Sequence, residues 1–200
     1  HRLSPYPNRS TEIGVVLDLM IHDIEIILHL VRSPVVSVDA VGVPVLSTSE
    51  DIANARLRFE NGCVANLTVS RVSPERLRKI RVFQEDCYLS LDYMRQEGFV
   101  YRMADAHQKE SSLLSKLFAS SDSTIVSEFS GRKIVREPVP IEKGESLKRE
   151  LADFVACARA GAQPKVSGRE GTAALELALD VARRISEHNA QHPAGARASL

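Results

Sequence analysis

The stretch "IANARLRFENGCVANLTVSR", Ile52 to Arg71, decides the fold. Ala53, Ala55, Leu57 and Phe59 alternate with Asn54, Arg56 and Arg58. After the turn, Cys63, Ala65, Leu67 and Val69 alternate with Val64, Asn66, Thr68 and Ser70. A period of two marks strands with one apolar face. A two-residue loop at Asn61-Gly62 would pair Glu60 with Cys63 and send the two apolar sets to opposite faces. A three-residue loop, Glu60 to Gly62, sets Phe59 opposite Cys63 and brings both sets to one face. That loop is a type I turn closed by a G1 bulge, and Gly62 supplies its left-handed residue. The expectation is an antiparallel hairpin with one buried face and one open face.

The neighbouring segments extend this sheet. "VVSVDAVGVPVL", from Val35, reads as a strand, with Pro44 at its edge or end. "KIRVFQEDCYLSLDY", from Lys79, reads as a hairpin that sets Ile80 and Val82 against Leu89 and Leu91 and turns at Glu85-Asp86. Phe99 to Arg102 adds a short strand, and "KIVREPVPI", from Lys133, a last one. Between them, residues 104–131 are serine-rich with weak periodicity and read as a loop or insertion. The opening "HRLSPYPNRS" reads as a short extended segment and then a loop.

Two late helices complete the pattern. Ser146 to Ala160 is expected to bury Leu147, Leu151, Phe154, Val155 and Ala158 and to stop at Gly161 and Pro164. Gly171 to His188 is expected to bury Ala174, Leu177, Ala178, Val181 and Ile185. Residues 189–200 are rich in Ala, Pro and Gly and read as a flexible tail. The fold class is thus α+β: an open, predominantly antiparallel β-sheet with helices packed on one face, one domain over residues 1–188. The other face, with Arg56, Arg58, Val64, Asn66, Thr68 and Ser70, must meet water or another subunit.

Composition narrows the function. Lys plus Arg and Asp plus Glu stand at 26 each, so no net field points to nucleic acid, a membrane or an acidic substrate. Cys63, Cys87 and Cys157 show no metal or redox spacing and read as small core residues of a cytoplasmic protein. Ile13 to Val31 is long enough to span a bilayer, but Asp18, His22, Asp23, Glu25 and His29 within it exclude a simple membrane helix. The ten glycines form no G-x-G and no G-x-x-x-x-G-K-[ST], so no turn here can cradle a pyrophosphate.

One helix carries the candidate chemistry. In "GVVLDLMIHDIEIILHLV", Gly14 to Val31, the residues Asp18, His22, Glu25 and His29 interrupt an otherwise apolar rod. At about 100° per residue they fall within about 60° of one another. Asp18 and His22, four apart, can act as a carboxylate–imidazole pair that takes a proton near neutral pH. The plain alternative is the solvated edge of a core helix. A metal site on His22, Glu25 and His29 is a third reading, though it lacks a fourth protein ligand nearby.

The same segment, with Asp18-x-x-x-His22-Asp23, resembles the C-terminal-domain signature of the glucose–fructose oxidoreductase/inositol dehydrogenase (Gfo/Idh/MocA) family. The hairpin, "YLSLDY" and "ELADFVACARAGAQPKVSGREGTAALELALDVARRISE" match the family's later elements in order. The opening residues are similar to members that act on a nucleotide sugar, a UDP-N-acetylglucosamine-like one at its 3-position. The resemblance implies an NAD(P)-dependent sugar dehydrogenase whose Rossmann domain precedes this one. His22 would be the base for the hydroxyl being oxidised, and Asp18 would hold it. Tyr6, Asn8 and Arg9 would contact substrate, or form a plain polar loop. It also implies a homodimer or tetramer joined through the open sheet face. The chain opens on His1 and lacks the Rossmann glycine fingerprint, so it is expected to be inactive alone, with NAD or NADP bound only in the full-length family member. A non-catalytic oligomerisation module and a small metal-binding protein are the alternatives.

Overall fold

In the computed structural model, which describes residues 1–7, 12–105, 124–129 and 132–192, the chain forms two compact units. One comprises residues 1–77 with 146–200, and the other residues 78–145.

The first unit holds β1 (Arg2–Leu3), a π-helical turn (Val16–Met20) running into α1 (Ile21–Val31), β2 (Val35–Val43), β3 (Ile52–Phe59) and β4 (Val64–Ser70). Its strand order is β2-β3-β4-β1. The β3–β4 hairpin sets Ala53 opposite Val69, Ala55 opposite Leu67 and Leu57 opposite Ala65. Its turn is the bulged one: the Phe59 N–H donates to the Cys63 carbonyl at 2.9 Å, and Gly62 has φ +85°. β2 pairs antiparallel on one side, and β1 runs parallel to β4 on the other, with Arg2 opposite Val69.

The hairpin's apolar set is buried together with Val38 and Ala40 of β2 and with Val15, Val16, Met20 and Ile24 of the first helical segment. The last helix of this unit, Gly168–Gln191, closes the core with Ala174, Ala178, Val181 and Ile185, one stripe at helical spacing. Each large side chain buried there contributes about 1.5–3 kcal/mol. Gly42 permits the close approach, because a Cβ on it would lie 2.9 Å from the Ile185 side chain. Ser167 begins the helix with a capping box, accepting from the Arg169 N–H while the Glu170 carboxylate accepts from the Ser167 N–H. The helix reaches Gln191, so residues 189–191 are helical rather than tail; residues 193–200 lie outside the described ones.

We label Ser146–Ala160 α2 and Gly168–Gln191 α3. Helix α2 has the expected bounds but not the expected burial. Leu147, Leu151, Phe154 and Val155 are all exposed, Phe154 at 64%. Their spacing is amphipathic, yet no other described element of this unit covers them. The cysteines also differ from expectation: Cys63 is exposed and Cys87 and Cys157 are half-buried. On the open face Asn54, Arg56, Arg58, Val64 and Asn66 are exposed, whereas Ser70 is buried and bonded to the Ser73 hydroxyl. Cross-strand polar pairs tie that face: Arg56 to Asn66 at 3.2 Å and Thr68 to Asn54 at 2.9 Å.

The second unit is antiparallel throughout its described pairings. Its strands are β5 (Leu77–Phe83, entering from the first unit), β6 (Cys87–Asp92), β7 (Glu97–Asp105), β8 (Thr124–Phe129) and β9 (Arg132–Pro138), ordered β5-β6-β7-β9-β8. Ile80 opposes Leu91 and Val82 opposes Leu89, as the alternation requires. Phe83, Tyr88 and Tyr101 form a cross-strand row of stacked rings, 4.8 and 5.0 Å between centroids. The expected loop over residues 104–131 is corrected at both ends. Ala104 and Asp105 finish β7, and Thr124–Phe129 is a strand paired with β9. Thr124, Ser127 and Glu128, interspersed without a period of two among Ile125, Val126 and Phe129, hide that strand from a composition-based reading. Residues 106–123 and 130–131 lie outside the described ones.

Candidate functional site

The candidate site grows from the start of the first helix. Val15 offers no side chain to cap it, and the task falls to Glu50. The Glu50 carbonyl accepts from the Val15 N–H at 2.9 Å, and its Oε1 accepts from the Val16 N–H at 3.2 Å. Gly14 is obligatory for this contact, since a Cβ there would sit 1.9 Å from Glu50 Oε1.

The helix then opens into its π turn. The Ile21 N–H donates to the Val16 carbonyl, one residue further back than in an α-helix. Such turns are frequent at functional sites. Asp18 lies within it, half-buried, and His22 lies one turn on, exposed. Buried Val16, Met20 and Ile24 anchor the opposite side of the rod. The side chains of Asp18 and His22 make no hydrogen bond or ion pair among the described residues, so both are available to a ligand. Further along, Glu25 is half-buried and His29 exposed. Among the described residues no three His, Cys, Asp or Glu side chains gather closely enough to hold a metal ion.

Asp23, next to His22, is structural. It accepts from Arg2 Nη2 at 2.7 Å and from Arg2 Nε at 3.2 Å, fastening β1 to α1. A second ion pair, wholly buried, joins Asp51 to Arg71 at 2.7 Å. Asp51 Oδ2 also accepts from the N–H groups of Val45, Leu46 and Ser47 at 2.7–2.9 Å. Burial alone would raise the Asp51 pKa, but Arg71 and these three N–H groups outweigh it and hold the carboxyl well below the usual carboxylate range. Arg71 also faces Tyr6, with 5.9 Å from its guanidinium carbon to the ring centroid. Tyr6 is half-buried; Asn8 and Arg9 lie outside the described residues.

The sequence profile of the GFO/IDH/MocA C-terminal domain matches residues 2–89, which include the helix, the hairpin and both ion pairs. Over 100 residues, half of this chain and 32% of the relative, the sequence is 42% identical to UDP-N-acetylglucosamine 3-dehydrogenase of Acidithiobacillus ferrooxidans. The solved structure of that enzyme superposes with a TM-score of 0.75 at 31% identity, covering 93% of this chain and 53% of the enzyme. Levoglucosan dehydrogenase in complex with NADH is similar in fold, with a TM-score of 0.67 at 14% identity over 93% of this chain and 55% of its own. The chain therefore spans about half the length of the dehydrogenase structures it matches. Among its described residues no helix is long and apolar enough to cross a membrane.

Sequence reasoning singled out Asp18 and His22 but missed Arg2, Asp23, Glu50, Asp51 and Arg71 as the frame around them. A buried Asp and Arg twenty residues apart leave no local pattern, because their pairing depends on the register of β2, β3 and β4. The π turn likewise has no signature in a run of Val, Leu and Met.

Proposed function

We propose that this chain is the substrate-binding part of an NAD(P)-dependent dehydrogenase that oxidises a hydroxyl of a nucleotide sugar, UDP-N-acetylglucosamine at its 3-position. The observation that carries this reading is the 42% identity to an enzyme of that name over a stretch half the length of this chain. In this reading His22 takes the proton of the hydroxyl. Asp18 orients the imidazole and stabilises it once charged. Tyr6, Asn8 and Arg9 contact the substrate, with Arg9 suited to a diphosphate. The residues present do not fit a dinucleotide, because no glycine-rich turn in the sequence can bring N–H groups to a pyrophosphate. NAD or NADP belongs instead to a separate domain of the kind this family carries ahead of the substrate domain. The protein works in the cytoplasm as a homodimer or tetramer joined through the open face of β3 and β4.

Titration of the chain with UDP-N-acetylglucosamine, followed by amide NMR, tests the reading. The amides of Tyr6, Asp18 and His22 should move together and saturate. An unchanged spectrum at millimolar nucleotide sugar contradicts it.

A further inference from the structure

Arg71 follows β4 and is fully buried, and its guanidinium reaches several segments at once. Nε donates to Asp51 Oδ1 at 2.7 Å, Nη1 to the Ile13 carbonyl at 2.7 Å, and Nη2 to Ser47 Oγ at 2.9 Å and Ser49 Oγ at 3.2 Å. The Tyr6 ring lies against the same group. We infer that Arg71 is the positioning residue of the substrate site, fixing the Tyr6 ring and the start of the helix that carries Asp18 and His22. This rests on the function proposed above.

The contacts support positioning over mere stabilisation. A buried ion pair is weak support for a fold, since well-packed apolar residues of equal volume often do as well. Two of Arg71's contacts, Ile13 and Tyr6, lie on the segments that lead into the helix. The Ile13 carbonyl is held one residue before Gly14, where Glu50 then receives the Val15 and Val16 N–H groups. Glu50 is in turn the chain neighbour of Asp51, whose carboxylate Arg71 fixes. Any shift of the guanidinium therefore reaches Val15 and Val16 from both sides, and Asp18 is two residues further on. A planar fork reaches the Asp51 carboxylate, the Ile13 carbonyl and the Ser47 and Ser49 hydroxyls from three separate nitrogens; the compact ammonium of a lysine cannot reproduce that spread. In a site that must hold a hydroxyl within hydrogen-bond reach of an imidazole, a misplacement of about 1 Å costs up to 10²-fold.

The test compares the unaltered chain with Arg71→Lys. The double variant Asp51→Asn/Arg71→Met, which leaves no buried unpaired charge, replaces it should Arg71→Lys fail to fold. Amide exchange at Val15 and Val16 should quicken about tenfold or more while Ala55 and Leu57 in β3 keep their protection. The Tyr6 ring resonances should shift, and the Kd for UDP-N-acetylglucosamine should rise about tenfold or more. Exchange at Val15 and Val16 that rises only in step with Ala55 and Leu57, unmoved Tyr6 resonances, or an unchanged Kd would each overturn the inference. If the unaltered chain does not bind the nucleotide sugar, the proposed function fails, and the exchange and ring measurements still decide whether Arg71 positions these segments.

Discussion

Arg2 and Asp23 form a two-pronged ion pair, 2.7 Å at its shorter arm, that fastens the first strand to the helix one residue beyond His22. The side chains are only 10% and 17% exposed, so the pair is screened far less than a surface bridge. The Asp-x-x-x-His-Asp run thus divides its labour. Asp18, half-buried, and His22, exposed, have no side-chain partner among the described residues, while Asp23 secures the rod that presents them.

Removing one arm of this pair strands a charge that is largely out of water. Asp23→Asn should lower unfolding free energy by about 1.5–3 kcal/mol, the worth of a charge-assisted hydrogen bond. Urea denaturation of the variant and the unaltered chain measures it, and a midpoint that does not move would show the pair to be idle.

The Asp51 carboxyl predicts a specific acid sensitivity. Its folded pKa lies below the unfolded value of about 3.9, so the stability it contributes is present above that pH. As pH falls through about 4, the unfolded chain takes up a proton that the folded chain refuses, and stability drops. Asp92 and Asp180 shift in the same direction and add to the effect. Asp51→Asn should be less stable than the unaltered chain at neutral pH, and the gap should narrow as the solution is acidified. Thermal melts across the acid range test this; a gap that stays constant would contradict the ion pair.

Helices α2 and α3 should respond oppositely to core-type substitutions. Ile185→Ala in α3 empties a fully packed position and should cost about 2–5 kcal/mol. Leu151→Gln and Phe154→Gln in α2 alter exposed side chains and should cost no more than about 0.5 kcal/mol each. Calorimetric melting of the three variants separates the helices, and a large loss from Phe154→Gln would mean that its face is covered.

Local physics explains what the sequence made legible. The β3–β4 hairpin was readable to the residue, because only a three-residue loop lets both apolar sets share a face and Gly62 can take the left-handed conformation. The Ile80–Leu91 register followed from the same alternation. What escaped was set by distant partners. Leu151 and Val155 carry the same four-residue spacing as Val181 and Ile185, and periodicity cannot say which stripe finds a cover. Ser70 alternates with the polar set yet is buried where β1 joins β4. At the site, Asp18 and His22 stand out as polar residues on an apolar rod, while nothing local in the sequence sets Arg71 and Asp51 apart.

The open face of β3 and β4 should join copies of this chain. Val64 is 39% exposed there among Arg56, Arg58 and Asn66, a flat mixed surface suited to a partly polar interface. A two-fold pair of standard size would bury about 1,200–2,000 Å². Light scattering should report an oligomer that Val64→Glu with Thr68→Glu converts to a folded monomer, and a monomeric unaltered chain at tens of micromolar would refute it.

In the proposed function the chemistry rests on His22. With this chain joined behind the remaining half of the Acidithiobacillus ferrooxidans enzyme, oxidation of UDP-N-acetylglucosamine can be followed by NADH or NADPH formation. His22→Ala should lower kcat about 10²–10⁴-fold with a much smaller change in KM, the usual worth of a general base. Near-normal turnover by His22→Ala would show that the imidazole takes no proton.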